Sequence, residues 1–313
     1  MGIWKSGIMG VVVGDALGTP VQFETREEVQ ANPVKDMIGY RTFNMPAGTW
    51  TDDSALTIAL MDSIIRTKRI IPTDIMDNFV KWLQDGDFTP YGFAFDIGRG
   101  TRNAIINYIK NKDASACGGK TERDNGNGSI MRIMPAVLYC IDNNLPIDEA
   151  VDTIHTVSAL THAHNRAKIA CGLYYFMANA IVKCSGSLLD RMQLGLYAGF
   201  AFYETRGYTD TELSCFDRLR DLSVFKRENA EKIKSTGYVV DTIEAAVWGL
   251  ITTDSYRDAM LKIVNLGYDT DSVAAVAGGL AGLYYGYEAI PENWLKVIKR
   301  REWIENMISK LDR

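Results

Sequence analysis

Residues 48–60 read GTWTDDSALTIAL and place two adjacent acids between a tryptophan and an apolar run with helical spacing. A similar stretch, LGYDTDSVAAVAGG, occupies residues 266–279. Asp, Ser and Thr at a helix start accept hydrogen bonds from unpaired backbone N–H groups and complement the positive end of the helix dipole. A cap needs one side-chain oxygen, and each stretch supplies several. The surplus oxygens therefore require a second explanation.

These oxygens have the chemistry of ligands for hard cations. Carboxylate and hydroxyl oxygens suit Mg²⁺, Mn²⁺ or Ca²⁺. Four carboxylates held together without cations would repel one another unless some of them took up protons. If the fold brings the two helix starts together, they can hold two metal ions. Helix capping explains either stretch equally well when it is taken alone.

Chain length and apolar content predict one all-helical domain over residues 1–313. The chain has 313 residues and is 47% hydrophobic, which is enough for a substantial core. The polar stretch 111–128 is too short to separate domains and is typical of a loop that leads into a helix. No convincing set of alternating strands is found.

Apolar residues recur at three and four positions along most of the chain, which is helical periodicity. Thr73 after Pro72 predicts a helix start, and Ser255 with Asp258 forms a capping-box pattern whose helix would end near Gly267. Further helices are predicted at about 101–110, 129–143, 147–158, 164–184, 188–204, 241–252, 271–287 and 292–309.

Charge and cysteine content exclude several classes of protein. A net charge of -5 argues against a nucleic-acid partner. The N-terminal apolar run is interrupted by Asp15, is too short to span a bilayer and lacks a cleavage pattern, so no membrane association is expected. Five cysteines without CxxC spacing predict neither a disulfide framework nor a thiolate zinc site, which favours a cytoplasmic location.

Six stretches, in this order along the chain, resemble the ADP-ribosylglycohydrolase family. They are GDALGTPVQFE (14–24), GTWTDDS (48–54), FDIGRGTR (95–102), GNGSIMRIMP (126–135), LTHAHNRA (160–167) and GYDTDSVAAVAGGLAG (267–282). The resemblance implies an all-helical fold with a dinuclear Mg²⁺ or Mn²⁺ site in a cleft.

The resemblance also implies which residues bind the two metal ions. They are Thr51, Asp52 and Asp53 in the first stretch and Asp269, Asp271 and Ser272 in the second. Ser272 stands where relatives more often have threonine, and it keeps the hydroxyl oxygen. Tyr268 stands where relatives commonly have a small residue. Its phenol is expected to stack on the substrate or to narrow the cleft, which leaves the acceptor preference open.

The loop NGNGS at 125–129 has two explanations. Its glycines leave backbone N–H groups open, and a helix that follows would point its positive end at a diphosphate. The alternative is a plain turn in which Ser129 caps the helix. The family uses this loop for the diphosphate of ADP-ribose, so the resemblance implies binding by Asn125, Gly126, Asn127, Gly128, Ser129 and Met131. Arg132 is not assigned to binding, because pairing with a structural carboxylate would also explain an arginine at this position.

One of the three histidines is assigned to the substrate. A single histidine near a helix start is more often structural, but the family places the histidine of the TH pair, here His162, beside the ligand. His155 and His164 receive no role because no metal-binding motif surrounds them. Asp15 is expected to be a buried, satisfied acid that supports the cleft.

Two further acids are candidates for catalysis. Glycoside hydrolysis requires a stabilised cation-like sugar, an assisted leaving group and an activated water. Glu24 matches a family glutamate that shields the metals and is proposed to act in acid–base chemistry, although a solvated surface acid would explain it alone. Asp96 matches an aspartate of the arginine-specific branch, where it approaches the scissile ribose.

The expected function is a metal-dependent hydrolase that cleaves the N-glycosidic bond between ADP-ribose and an acceptor. The leading substrate is ADP-ribosyl-arginine on a protein, with ADP-ribosyl small molecules such as guanidines still open, and ADP-ribose is the product. One alternative is a catalytically silent ADP-ribose-binding member, against which all six metal positions argue. The other is a two-metal nucleotide phosphohydrolase, which would release AMP.

Overall fold

Helices supply the regular structure of the computed structural model, which describes residues 2–208 and 210–311. Within those ranges no β-strand occurs, and only two isolated bridges join Gly119 to His162 and Gly126 to Tyr238. The all-helical fold class is therefore confirmed. None of the helices in the described ranges combines the length and the apolarity that a membrane crossing requires.

Sixteen α-helices lie in the described part of the chain. In chain order they are α1 (Ile3–Gly18), α2 (Arg26–Ala31), α3 (Asp52–Thr67), α4 (Pro72–Asp85), α5 (Arg99–Asn111), α6 (Met134–Asp142), α7 (Ile147–Ala159), α8 (Asn165–Lys183), α9 (Leu188–Thr205), α10 (Asp210–Leu213), α11 (Leu222–Phe225), α12 (Val239–Ile251), α13 (Tyr256–Val264), α14 (Thr270–Tyr285), α15 (Glu292–Val297) and α16 (Arg301–Ile308).

Two of the helices predicted from the sequence are wrong in extent. The segment 129–143 contains a single 3₁₀ turn over 130–132 and then α6, which has Pro135 in its first turn, where the missing N–H costs nothing. The segment 292–309 is split into α15 and α16 because Arg300, with φ of 55°, interrupts it in the left-handed region. The fourth helix begins at Pro72 and not at Thr73.

The start of α13 agrees with the predicted cap. The Ser255 hydroxyl accepts a hydrogen bond from the Asp258 N–H at 3.0 Å. The helix ends at Val264, and Gly267 follows with φ of 76° in the connection to α14. This left-handed glycine turns the chain toward the second acidic stretch.

Helices α1 and α14 form the centre of the fold and pack through small residues. Gly10, Gly14 and Gly18 recur every fourth residue on α1, so they lie on one face. A Cβ at Gly10 would overlap the carbonyl oxygen of Gly278, and one at Gly14 would overlap that of Ala274. The two backbones therefore touch. At the end of this contact Gly18 lies against the backbone of Asp271, so α1 fixes where α14 begins.

Candidate active site

The start of α3 is held by a buried carboxylate of α1. Asp15 is fully buried, and its oxygens accept the N–H groups of Thr51 and Ser54 at 3.0 and 2.9 Å and their hydroxyl groups at 3.0 and 2.5 Å. Burial raises the pKa of Asp15 to about 6, and these hydrogen bonds act in the opposite direction. The predicted supporting role of Asp15 is confirmed.

Helix capping does not explain the two acidic stretches. Thr51 and Asp269 occupy the N-cap positions of α3 and α14, and neither side chain makes a capping hydrogen bond. Asp15 instead accepts hydrogen bonds from the N–H groups at the start of α3, which have no partner within the helix. The side chains of both stretches are therefore available for another role.

The two acidic stretches meet, which the sequence alone left open. The Thr51 hydroxyl lies 3.4 Å from Asp271 Oδ2, and the Ser272 hydroxyl lies 3.4 Å from Asp53 Oδ2. Five of the six predicted metal ligands have buried side chains; these are Thr51, Asp52, Asp53, Asp271 and Ser272. We call these five residues, together with Asp269, the acid cluster.

The carboxylates of the acid cluster destabilise one another's charged forms. Burial is the largest cause that raises the pKa values of Asp52, Asp53 and Asp271 well above the usual range. Repulsion from neighbouring acids adds to it, and Asp96 contributes to all three. The pKa values of Asp96 and Asp269 are also raised by burial. Protons or cations are needed to offset this crowding.

The acid cluster fits a hard divalent cation. Asp53 Oδ1 is buried and has no hydrogen-bond partner among the described residues. All side-chain donors of the cluster are carboxylate or hydroxyl oxygens, which Mg²⁺ and Mn²⁺ prefer over softer ligands. A bound cation would satisfy the unpaired oxygen and offset the repulsion between the acids.

A cavity of about 290 Å³ opens beside the acid cluster. Among the residues predicted to act in binding or catalysis, those that line it are Asp52, Asp96, Gly126, Asn127, Gly128, Met131, His162, Asp269 and Ser272. Other residues that line the cavity had no predicted role, among them Gln22, Phe23, Arg99, Thr101, Asn103 and Arg123. The two arginines bring positive charge to a cavity that also contains carboxylates.

The loop 125–129 contacts the acid cluster through one side chain. Asn127 Nδ2 donates to Asp269 Oδ2 at 2.5 Å and to the Thr242 hydroxyl at 2.9 Å. The Asn127 N–H donates to the carbonyl of Gly237, so the loop is anchored on both sides. Asn125 is buried and is not among the residues that line the cavity.

Ser129 does not occupy the place that either explanation of the loop gave it. Its side chain is fully buried, accepts a hydrogen bond from the Ser158 hydroxyl at 3.0 Å and lies 3.5 Å from Cys171 Sγ. It makes no capping hydrogen bond, so the plain-turn explanation is wrong in that respect. Only a single 3₁₀ turn follows it, so the helix dipole expected to face the diphosphate is absent at this position.

The hydrogen bonds around His162 favour one of its two neutral tautomers. Arg132 Nη2 donates to the Thr161 hydroxyl oxygen at 2.8 Å, and that hydroxyl lies 2.8 Å from His162 Nδ1. Because a guanidinium only donates, the Thr161 hydroxyl keeps its own proton for Nδ1, which favours the tautomer that carries the imidazole hydrogen on Nε2. Burial and the charge of Arg132 lower the pKa of His162 to about 3. His162 is thus a neutral donor that lines the cavity.

Arg132 is a buried cation rather than one half of an ion pair. Its described hydrogen bonds go to the Val157 carbonyl and the Thr161 hydroxyl, and its guanidinium lies 4.7 Å from the Phe79 ring centroid. The alternative explanation, in which Arg132 pairs with a structural carboxylate, is therefore wrong for the described part of the chain. Burial lowers the pKa of Arg132 to about 10.

Glu24 lies beside the cavity without lining it. Both of its carboxylate oxygens accept hydrogen bonds from Arg41, one of them at 2.9 Å. Its backbone carbonyl accepts the N–H of Tyr268 at 2.7 Å, and the Phe23 N–H donates to the Tyr268 carbonyl at 2.6 Å. This reciprocal pair joins the loop after α1 to the loop before α14. Tyr268, which was predicted to contact the substrate, is 42% exposed and does not line the cavity.

One known protein family matches this chain along nearly its whole length. The model of the family described as ADP-ribosylglycohydrolase matches residues 5–313. The chain belongs to the ADP-ribosylglycohydrolase family. It is therefore an ADP-ribosylhydrolase, a hydrolase of the glycosidase type.

Relatives within the ADP-ribosylglycohydrolase family cover nearly the whole chain. The chain is 32% identical over 307 residues to the ADP-ribosylarginine hydrolase Tri1 of Serratia proteamaculans, covering 98% of this chain and 78% of that protein. It is 28% identical to the ADP-ribosyl-[dinitrogen reductase] glycohydrolase of Rhodospirillum rubrum over 92% of this chain and 87% of that one. A solved ADP-ribosylglycohydrolase-related protein complex matches with a TM-score of 0.80 and 26% identity, covering 99% and 97% of the two chains.

This ADP-ribosylglycohydrolase has a second group of polar side chains at a different place. Ligand atoms of Glu122, His164 and Glu212 lie within 4.8 Å of one another. Arg166 donates to Glu122 at 2.6 Å and to Glu212 at 3.0 Å, so the two carboxylates already share a cation. His164 caps α8 by accepting the N–H of Arg166. These contacts give the group a structural explanation.

Proposed function

We propose that the protein hydrolyses the N-glycosidic bond between ADP-ribose and the arginine side chain of a modified protein, in a reaction that depends on two Mg²⁺ or Mn²⁺ ions. The observation that carries the proposal is one cavity that combines the hard oxygen ligands of the acid cluster with the cationic side chains of Arg99 and Arg123. An ADP-ribosyl group needs both, because it has ribose hydroxyls and a diphosphate. The names of the relatives support arginine as the acceptor.

The diphosphate is proposed to bind on the side of the cavity formed by loop 125–129. His162 offers a neutral Nε2–H, and Gly126 and Gly128 allow close approach of the backbone. Arg99 lies near enough to Asp124 to lower the pKa of that carboxyl, in addition to the hydrogen bonds from Thr121. These groups favour an anion, whereas the acid cluster disfavours one, so the distal ribose is proposed to lie at the cluster.

The acid cluster is proposed to hold the metal ions, with Thr51, Asp52 and Asp53 on one side and Asp269, Asp271 and Ser272 on the other. When bound, the ions supply positive charge that orients the ribose hydroxyls and lowers the pKa of water. Asn127 keeps Asp269 in a fixed orientation by donating to its Oδ2. Five of these six ligands are buried, and Asp269 is half-buried beside the cavity.

Two acids outside the cluster are proposed to act on the reacting groups. Water attacks C1 of the ribose, the bond from C1 to the guanidine nitrogen breaks, and the departing guanidine takes up a proton. Asp96 lines the cavity and places negative charge where a cationic guanidinium would lie. Glu24 is proposed to handle protons, which requires it to turn from Arg41 toward the cavity, because it does not line the cavity in this structure.

The test offers peptides ADP-ribosylated on arginine or on serine, with Mg²⁺, Mn²⁺ or EDTA, and identifies the product by mass. Intact ADP-ribose from the arginine peptide, lost in EDTA, supports the proposal. AMP would indicate a phosphohydrolase, and binding of ADP-ribose without turnover would indicate a silent member. Asp96→Asn should reduce kcat/KM mainly on the arginine peptide, whereas Glu24→Gln should reduce it on every cleaved substrate. Asp217→Asn, an exposed acid paired with Arg220, is the matched control.

A further inference from the structure

A row of aromatic side chains lies beside the cavity. The row, which we call the aromatic row, consists in spatial order of Phe23, Phe43, Phe95, Phe93 and Tyr91. Consecutive ring centroids lie between 5.6 and 6.2 Å apart. These four steps give a contour of about 24 Å, comparable with roughly seven residues of extended polypeptide. The surface is therefore long enough for a peptide segment.

Much of the aromatic row faces solvent. Phe23 is 61% exposed, Phe93 47% and Tyr91 38%. Exposed apolar side chains that stand alone are common on proteins, but a contiguous apolar patch marks an interaction site. The rings contact one another through edges and faces, so the row is a connected surface.

The aromatic row is continuous with the cavity at two points. Phe23 itself lines the cavity, and Phe95 immediately precedes Asp96, which also lines it. Phe23 and Asp96 have φ of 67° and 54°, a left-handed conformation that non-glycine residues rarely adopt. Such conformations persist where the surroundings hold them and are concentrated at functional sites. Both junctions between the row and the cavity have this property.

We propose that the aromatic row binds the polypeptide segment that carries the modified arginine. This inference rests on the proposed function, which places the distal ribose at the acid cluster. The arginine is covalently joined to that ribose, so its chain must leave the cavity past Asp96 and Phe23, where the row begins. Aromatic faces contact aliphatic and aromatic side chains favourably, so we expect substrates with apolar residues within about seven positions of the arginine.

This assignment gives the protein a lower KM for modified proteins than for small ADP-ribosyl-guanidines. A small guanidine ends near Asp96 and would leave the outer part of the row, Phe93 and Tyr91, without a contact. Those two side chains do not line the cavity, so they should affect only substrates that extend beyond the guanidinium. The row thus contributes to KM for a peptide and not to the bond-breaking step.

The experiment compares two substrates on three variants. The substrates are free ADP-ribosyl-arginine and a peptide that is ADP-ribosylated on an arginine flanked by leucines. The variants are Phe93→Ser, Tyr91→Ser and the control Tyr197→Ser, which removes an exposed aromatic ring on α9, away from the cavity. We expect KM for the peptide to rise about tenfold in Phe93→Ser and Tyr91→Ser with little change in kcat. With free ADP-ribosyl-arginine, all three variants should have the kcat and KM of the wild type. With the peptide, the control Tyr197→Ser should also have wild-type constants.

Replacing the flanking leucines of the peptide by serines should raise the KM of the wild type for that peptide. The KM of Phe93→Ser should not change. If Phe93→Ser and Tyr91→Ser lose kcat/KM equally on both substrates, or keep wild-type kcat/KM on the peptide, the role of the aromatic row is overturned. The proposed function would remain intact. If the wild type releases no ADP-ribose from either substrate, the proposed function fails and this inference fails with it. A dimer of the wild type that Phe93→Ser dissociates, measured by sedimentation, would assign the row to a second copy of the chain and overturn the inference.

Discussion

Removal of divalent cations should lower the thermal stability of the protein, because the acid cluster holds several buried carboxylates with raised pKa values. In the metal-free protein these acids must stay protonated or repel one another. A cation that binds the folded state at one hundred times its Kd adds about 2.7 kcal/mol to the free energy of unfolding. With 313 residues and about 2.1 cal/mol/K per residue, the unfolding entropy is about 660 cal/mol/K, so the melting temperature should rise about 4 °C.

The gain in melting temperature should depend on pH. A group whose pKa is raised by folding binds more protons in the folded state, so its stabilisation is lost as pH rises through the folded pKa. A cation must displace such protons at low pH. Burial raises the pKa values of Asp52, Asp53 and Asp271, so more of these protons are bound at pH 5 than at pH 7.5, and the affinity for a cation should be lower at pH 5. At the same metal concentration the gain in melting temperature should therefore be smaller at pH 5 than the roughly 4 °C expected at pH 7.5.

The assay is thermal unfolding in EDTA and with added Mg²⁺ or Mn²⁺ at both pH values. Comparing each pH with and without metal cancels the titration of groups that the metal does not affect. Asp53→Asn removes a ligand charge at similar size and should lose the gain, whereas Asp217→Asn, an exposed acid, should keep it. An unchanged melting temperature in the wild type, or an equal gain in Asp53→Asn, would refute the reasoning.

Two further predictions concern the other side of the cavity. A Cβ at Gly128 would lie 2.7 Å from a ring carbon of His162, so Gly128→Ala should cost about 1 to 3 kcal/mol; Gly126→Ala, with a nearest contact of 3.5 Å, should leave the melting temperature unchanged. Thr161→Val removes the hydroxyl that donates to His162 Nδ1, so ¹⁵N NMR should show loss of the Nε2–H tautomer, while Thr161→Ser should keep it. An unchanged His162 spectrum in Thr161→Val would contradict the tautomer assignment.

Much of the fold is predictable from the sequence because apolar periodicity defines helices wherever packing follows it. Helices α7, α8 and α9 begin and end within one or two residues of the predicted positions. The segment 292–309 kept helical periodicity in the sequence, but Arg300 adopts a left-handed conformation there that no local pattern indicated. Periodicity specifies the face of a helix and does not locate a single residue at which the backbone turns.

The candidate site is predictable in part, for a related reason. The oxygen-rich stretches identify their own ligands, but their meeting depends on Gly10, which lies outside both stretches and allows α1 to touch α14 at Gly278. Arg99, within the stretch FDIGRGTR, and Arg123 had no predicted role, so only the fold assigns them to the cavity. Arg132 acts on His162 through Thr161, a relation that only the three-dimensional arrangement establishes.

The close contact between α1 and α14 has a consequence for how the chain is synthesised. Helix α1 buries 14 of its 16 residues, and its nearest partner lies more than two hundred and fifty residues later in the chain. At about 5 to 20 residues per second, translation takes on the order of tens of seconds to reach α14. During that interval a nascent chain carries an apolar helix without its central partner. The emerging chain therefore depends on provisional burial of α1 or on a chaperone, and the acid cluster forms only late in synthesis.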